Sequence, residues 1–137
     1  MRNTILVMRT IVLFFIVLLN IVALGCITDS NDNAKYTDVS VAQAKAMIDG
    51  GEYFLLDVRT QEEYDAGHID SPVLIPYDEL ENRLDEVPAD MPVLIYCRTA
   101  RRSAIAAQVL VDNGYTEVYN MAGGIVAWEN AGYPVET

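Results

Sequence analysis

The run Pro92-Val93-Leu94-Ile95-Tyr96, the short stretch from Cys97 to Arg101, and the segment from Arg102 to Asn113 constrain the fold more than any other part of the chain. Unbroken apolar residues with no polar alternation suit a strand covered on both faces, the usual state of a strand inside a parallel sheet. The following segment predicts a helix in which Ala104, Ile105, Ala107, Val109, Leu110 and Val111 leave little polar face, so the helix must lie against a sheet. Gly114 ends it. A strand, a tight crossover loop and an apolar helix make one βα unit.

Other units flank it. Val41 to Ile48 predicts a helix stopped by Asp49-Gly50-Gly51, and Tyr53 to Val58 a buried strand. Gln61 to Ala66 predicts a short helix closed by Gly67, and Leu74-Ile75 a small strand ended by Pro76. Tyr77 to Asp85 is expected to be helical, with Leu80 and Leu84 on one stripe. Glu117-Val118-Tyr119 supplies a last strand, and Gly124 to Asn130 a last helix. Alternation at these distances implies an α/β fold, a mostly parallel sheet flanked by helices. No repeat or second domain is apparent, consistent with a chain of 137 residues.

The beginning of the chain has a different character. Arg2 and Arg9 precede an uncharged run from Thr10 to Ile27, a pattern of a signal sequence or membrane anchor over residues 1–25. Its end, Val22-Ala23-Leu24-Gly25-Cys26, resembles a lipobox, with Ala23 in the place where Leu is more usual. Cys26 is therefore the expected lipidation site, with an uncleaved anchor or ordinary cleavage as the alternatives. Each places the rest of the chain in the cell envelope on the extracytoplasmic side, attached to the membrane in the first two. Residues 26–35, rich in Asp, Asn and Ser, are expected to form a flexible tether, and residues 36–137 the folded domain.

The net charge of −11 disfavours a nucleic-acid partner, because 20 acidic residues stand against nine Lys and Arg. One histidine, His68, and two cysteines, Cys26 and Cys97, leave too few ligands for an ordinary zinc cluster, so no metal is expected. Three of the few cations, Arg98, Arg101 and Arg102, cluster beside Cys97. In an open parallel sheet, ligands collect beyond the carboxyl ends of the strands, where Cys97 falls. Successive N–H groups of Arg98, Thr99, Ala100 and Arg101, with the start of the following helix, would form an anion-binding nest and lower the thiol pKa. At least one of the arginines is expected to face an anionic substrate, with Arg98 and Arg102 the leading candidates. Ser103 is either an ordinary polar residue of the first helical turn or a hydroxyl donor to the sulfur.

These residues resemble the rhodanese family, and its single-domain sulfurtransferases in particular. The resemblance rests on Leu55-Leu56-Asp57-Val58-Arg59, Glu63-Tyr64-Asp65-Ala66-Gly67-His68-Ile69, Ile75-Pro76, Tyr96-Cys97-Arg98-Thr99-Ala100-Arg101-Arg102-Ser103 and Ala122-Gly123-Gly124-Ile125-Val126-Ala127-Trp128, in that order. It implies a rhodanese-like fold in which Cys97 takes up sulfane sulfur as a persulfide. The donor would be thiosulfate or a related small anionic species, and the acceptor a thiol or cyanide, with an acceptor protein as a further partner. No cofactor is implied. Asp57 and Arg59 would support the loops around the pocket, and the Gly67-His68-Ile69 segment would be structural. Two positions depart from the pattern: Ala100 stands where Gly is frequent, and Pro72 follows Ser71 where Ala is frequent. Ala100 raises the question of a left-handed backbone there.

Phosphatase or arsenate reductase chemistry also uses a Cys in an anion loop, with Arg six residues on. Here that place holds Ser103, and Arg102 comes one residue early. A membrane-tethered carrier or sensor that accepts sulfur without cycling would have nearly the same sequence.

Overall fold

The computed structural model describes residues 35–137, so the expected leader over residues 1–25, Cys26 and nearly all of the tether lie outside the described residues. Five strands form one sheet: β1 (Thr37–Val39), β2 (Phe54–Asp57), β3 (Val73–Leu74), β4 (Val93–Tyr96) and β5 (Val118–Met121). Their order is β1-β5-β4-β2-β3, and every pairing is parallel. The helices are α1 (Val41–Gly50), α2 (Gln61–Ala66), α3 (Arg101–Asp112) and α4 (Gly124–Asn130).

The buried strand β4 is flanked by β2 and β5, with Leu56 opposite Ile95 and Leu94 opposite Tyr119. Successive side chains of a strand point to opposite faces, which gives the sheet two cores. Leu56, Val93, Ile95 and Cys97 join Ala106, Ala107 and Leu110 of α3 in one. Leu55, Leu94 and Tyr96 join Ala44 of α1 and Ile125 and Trp128 of α4 in the other. Helices thus cover both faces, as the apolar β4 and α3 segments require.

Local chemistry sets the helix ends. The Ser40 hydroxyl accepts from Gln43 N–H at 3.2 Å while the Gln43 side chain accepts from Ser40 N–H at 2.9 Å, a reciprocal cap that starts α1. Thr60 and Glu63 start α2 in the same way. Gly51, at φ 78°, supplies the left-handed residue that ends α1.

One expectation is revised, and one element goes beyond the sequence reading. The segment Tyr77 to Asp85 is not one helix but two 3-10 turns, Leu80–Asn82 and Leu84–Glu86, with Arg83 at φ −128° between them. Only Leu80 of the expected stripe is buried, and the Tyr115 hydroxyl donates to the carbonyls of Leu84 and Val87 at 3.0 and 2.7 Å, which holds the chain in a non-helical path. The edge strand β1 is an element that its three residues, Thr37-Asp38-Val39, do not announce. It forms by pairing with β5, Val39 opposite Met121.

Candidate active site around Cys97

Cys97 follows β4 directly, at the carboxyl end of a central strand, and is 1% exposed. The chain then turns through Arg98, Thr99 and Ala100 and enters α3 at Arg101. Burial alone would raise the thiol pKa. The Ser103 hydroxyl, 3.4 Å from Sγ, and the N–H groups of Ser103, Thr99 and Arg102 outweigh it and hold the pKa below the ordinary thiol value. Ser103 is fully buried, so of its two readings the structure shows the hydroxyl turned to sulfur.

Ala100 has φ 79° and ψ −5°, the left-handed conformation that its replacement of Gly called into question. A Cβ in that region costs roughly 1–2 kcal/mol. The strain buys the tight reversal that turns the amides of Thr99, Arg102 and Ser103 toward one sulfur atom.

A second segment fixes the loop from outside. Gly123 and Gly124, at φ 79° and 59°, bring the start of α4 against it, so that Ile125 N–H donates to the Cys97 carbonyl at 2.9 Å and Val126 N–H to the Arg98 carbonyl at 3.2 Å. A Cβ on Gly124 would meet the Cys97 carbonyl oxygen, and would come within 2.5 Å of the Arg98 carbonyl oxygen. Gly124 therefore permits a backbone-to-backbone approach that no side chain would allow, while a Cβ on Gly123 would instead collide with the Ala127 side chain of α4.

Asp57 and Arg59 lie beneath this assembly as a buried ion pair, with Arg59 Nη2 2.6 Å from Asp57 Oδ2 and Nε 2.9 Å from Oδ1. Arg59 also donates to the carbonyls of Glu63 and Gly67 and lies over the Tyr96 ring, 5.4 Å from its centroid. It ties β2, α2 and the residue before Cys97 together. His68 stacks on Tyr64 at 3.9 Å, its Nδ1 lies 3.1 Å from the Tyr64 carbonyl, and its backbone pairs with Glu136. Trp128 is buried, donating to the Pro134 carbonyl at 2.8 Å.

The three arginines of the loop are not equivalent. Arg102 is held by Glu63 through two bonds of 2.7 Å, and Arg102 hydrogen bonding lowers the Glu63 pKa to about 2. Its charge is thus already matched. Arg98 and Arg101 are exposed, with no carboxylate partner among the described residues. Sequence reasoning missed Glu63 as part of this arrangement; its capping position after Thr60 was legible, but its partner lies 39 residues away. Two depressions border the loop and share Arg98. One, of about 400 Å³, is lined by Tyr77, Arg98, Thr99, Arg101, Arg102 and Ile105. The other, of about 250 Å³, lies between Arg59, Glu63, Gly67, Ile125, Val126 and Glu129. Among the described residues no three His, Cys, Asp or Glu side chains gather as a metal-ligand group.

A buried thiol with a depressed pKa, converging amide donors and unmatched cations at the rim can hold a nucleophilic sulfur and attract an anion. Residues 40–131 match the family described as Rhodanese-like domain. The chain is 45% identical over 74 residues to the uncharacterized protein YqhL of Bacillus subtilis, a match that spans 54% of this chain and 59% of that protein. It is 32% identical over 96 residues to the thiosulfate sulfurtransferase GlpE of Pseudoalteromonas translucida, across 70% of this chain and 91% of the relative. The crystal structure of a rhodanese-related protein from Thermoplasma volcanium superposes with a TM-score of 0.68 at 32% identity, covering 74% of this chain and 98% of that one.

Proposed function

Because the chain belongs to the rhodanese-like domain family, we propose that it is a sulfurtransferase that carries sulfane sulfur on Cys97. The observation that carries this reading is the convergence of the Ser103 hydroxyl and three backbone N–H groups on a buried sulfur. In the first half-reaction the Cys97 thiolate attacks the outer sulfur of thiosulfate. A new S–S bond forms to Cys97, the S–S bond of thiosulfate breaks, and sulfite leaves with the electron pair. In the second, an acceptor thiolate or cyanide attacks the outer sulfur of the persulfide, and Cys97 leaves as thiolate. The loop amides and Ser103 stabilise the anionic sulfur at both stages, and Arg98 and Arg101 draw the anionic donor to the rim. Arg102 supports the loop through Glu63, and Asp57 and Arg59 support it from below.

Intact-protein mass spectrometry tests the reading. Incubation with thiosulfate should add one sulfur, about 32 Da, which cyanide removes as thiocyanate. Cys97→Ser should take up none; stoichiometric loading of that variant would refute the mechanism. Loading followed by only one transfer, with no turnover on any small acceptor, would mark a carrier instead. Our reading also includes export with Cys26 as the lipidated residue, and Cys26→Ser should then abolish lipid labelling without affecting sulfur loading.

A further inference from the structure

We propose that the rim around Cys97 docks an acidic polypeptide that presents the acceptor thiol beside an apolar residue. The inference rests on the sulfurtransferase reading and names its acceptor.

Two independent distributions coincide at the rim. Among the described residues the exposed large apolar side chains are Tyr77, Ile105 and Val126, at 37%, 49% and 36% exposure. Tyr77 and Ile105 line the larger depression and Val126 the smaller. A small anionic donor or acceptor needs no such surface, whereas a protein interface is built from apolar contact with a polar edge.

The charges are placed in the same way. From Lys45 onward, every Lys or Arg except Arg98 and Arg101 is paired with a carboxylate: Lys45 with Asp49, Arg59 with Asp57, Arg83 with Glu79 and Glu86, and Arg102 with Glu63. The two unpaired cations stand at the larger depression, whose lining contains no carboxylate. On a chain of net charge −11 this is a local reversal of sign, and it selects a partner that is itself acidic. Glu129 on the smaller depression directs the acidic contact to the Tyr77 and Ile105 side. Cys97 is 1% exposed, so its sulfur is reached by a side chain that enters the loop, which a cysteine on a protruding segment supplies and a lipid surface does not. Sulfur passes as above: the partner's thiolate attacks the outer sulfur, its new S–S bond replaces the bond to Cys97, and Cys97 is released as thiolate for the next donor.

The test uses the full chain loaded with thiosulfate and follows single-turnover transfer to two cysteine peptides of equal length. One has Asp on both sides of the cysteine and a nearby Leu; in the other Lys replaces Asp. The acidic peptide should react about tenfold faster at low salt, with the advantage collapsing at roughly 0.5 M salt. The double variant Tyr77→Ser, Ile105→Ser should slow the acidic peptide about fivefold and leave thiocyanate formation from cyanide within about twofold. Equal rates for the two peptides, or an equal loss with cyanide, would overturn the proposal while leaving the persulfide chemistry intact. So would peptide rates untouched by the double variant, with binding to vesicles of neutral and anionic phospholipid that the variant abolishes. Failure of Cys97 to take up sulfur from any sulfane donor would overturn the sulfurtransferase reading and the docking surface with it.

Discussion

Replacing Ala100 by glycine should stabilise the domain, and the expected size follows from one dihedral angle. Ala100 has φ 79° and ψ −5°, where its Cβ crowds the following carbonyl at a cost of roughly 1–2 kcal/mol. Glycine removes that cost but adds freedom to the unfolded chain, worth about 0.4–1 kcal/mol in the opposite sense. The net gain is about 0.5–1 kcal/mol, which in a domain of this size raises Tm by about 4 °C. Urea titration of both proteins should show a higher midpoint for Ala100→Gly at unchanged slope. Ala100→Val, with a branched side chain in the same conformation, should lose at least about 1 kcal/mol. The amides that face Sγ belong to Thr99, Arg102 and Ser103, so the pH midpoint for alkylation of Cys97 should stay where it is in Ala100→Gly. A glycine variant no more stable than the parent, or a valine variant that matches it, would refute the account of strain in this loop.

Gly124→Ala should destabilise the fold by more than about 2 kcal/mol and abolish sulfur loading in the fraction that remains folded, because the added Cβ would lie 2.5 Å from the Arg98 carbonyl oxygen; urea titration and mass spectrometry read the two effects. Ser103→Ala removes the hydroxyl 3.4 Å from Sγ, one of the donors that hold the thiol pKa down, so the pKa should rise and the alkylation profile move to higher pH. An unmoved profile would exclude Ser103 from thiolate stabilisation. Glu63 has its pKa lowered from 4.5 to about 2 by Arg102, so its contribution to stability is full above pH 4.5 and is lost as the pH falls toward 2. Glu63→Gln lacks that contribution throughout, and the stability gap between parent and variant, measured by denaturation, should close across that window.

What the sequence disclosed about the fold was whatever local pattern alone decides. β4 and α3 were legible because each is apolar on every side that matters, so no distant residue was needed to place them between two layers. α1 was legible from the run Val41 to Ile48 and the Asp49-Gly50-Gly51 stop that follows it. β1 was not, since Thr37-Asp38-Val39 has too little pattern to signal a strand and is one only because Tyr119, Asn120 and Met121 lie beside it. The segment after Pro76 misled for the opposite reason. Leu80 and Leu84 have helical spacing, but the carbonyls of Leu84 and Val87 are taken by a tyrosine about 30 residues further on, and a local period carries no information about that bond.

The same division runs through the site. Cys97, the nest and the left-handed turn at Ala100 were within reach because a strand, a loop and a helix N-terminus occur in one continuous stretch. The sorting of the arginines was not, because Arg98, Arg101 and Arg102 look alike in sequence and differ only in what faces them. Arg102 meets Glu63 at the start of α2, and Glu63 is placed there by its own capping bond to Thr60, so the cap that begins a helix also removes one cation from the pool open to an anion. Substitution of Glu63 would free that cation: Glu63→Gln should therefore not only lose its acid-dependent stability but also leave Arg102 as a third unmatched charge at the rim. If rim charge governs donor capture, loading by thiosulfate should then become faster at low salt and more sensitive to ionic strength. A slower rate at every salt concentration would show instead that Arg102 serves by holding α2 and α3 together and that its charge has no part in attracting the donor.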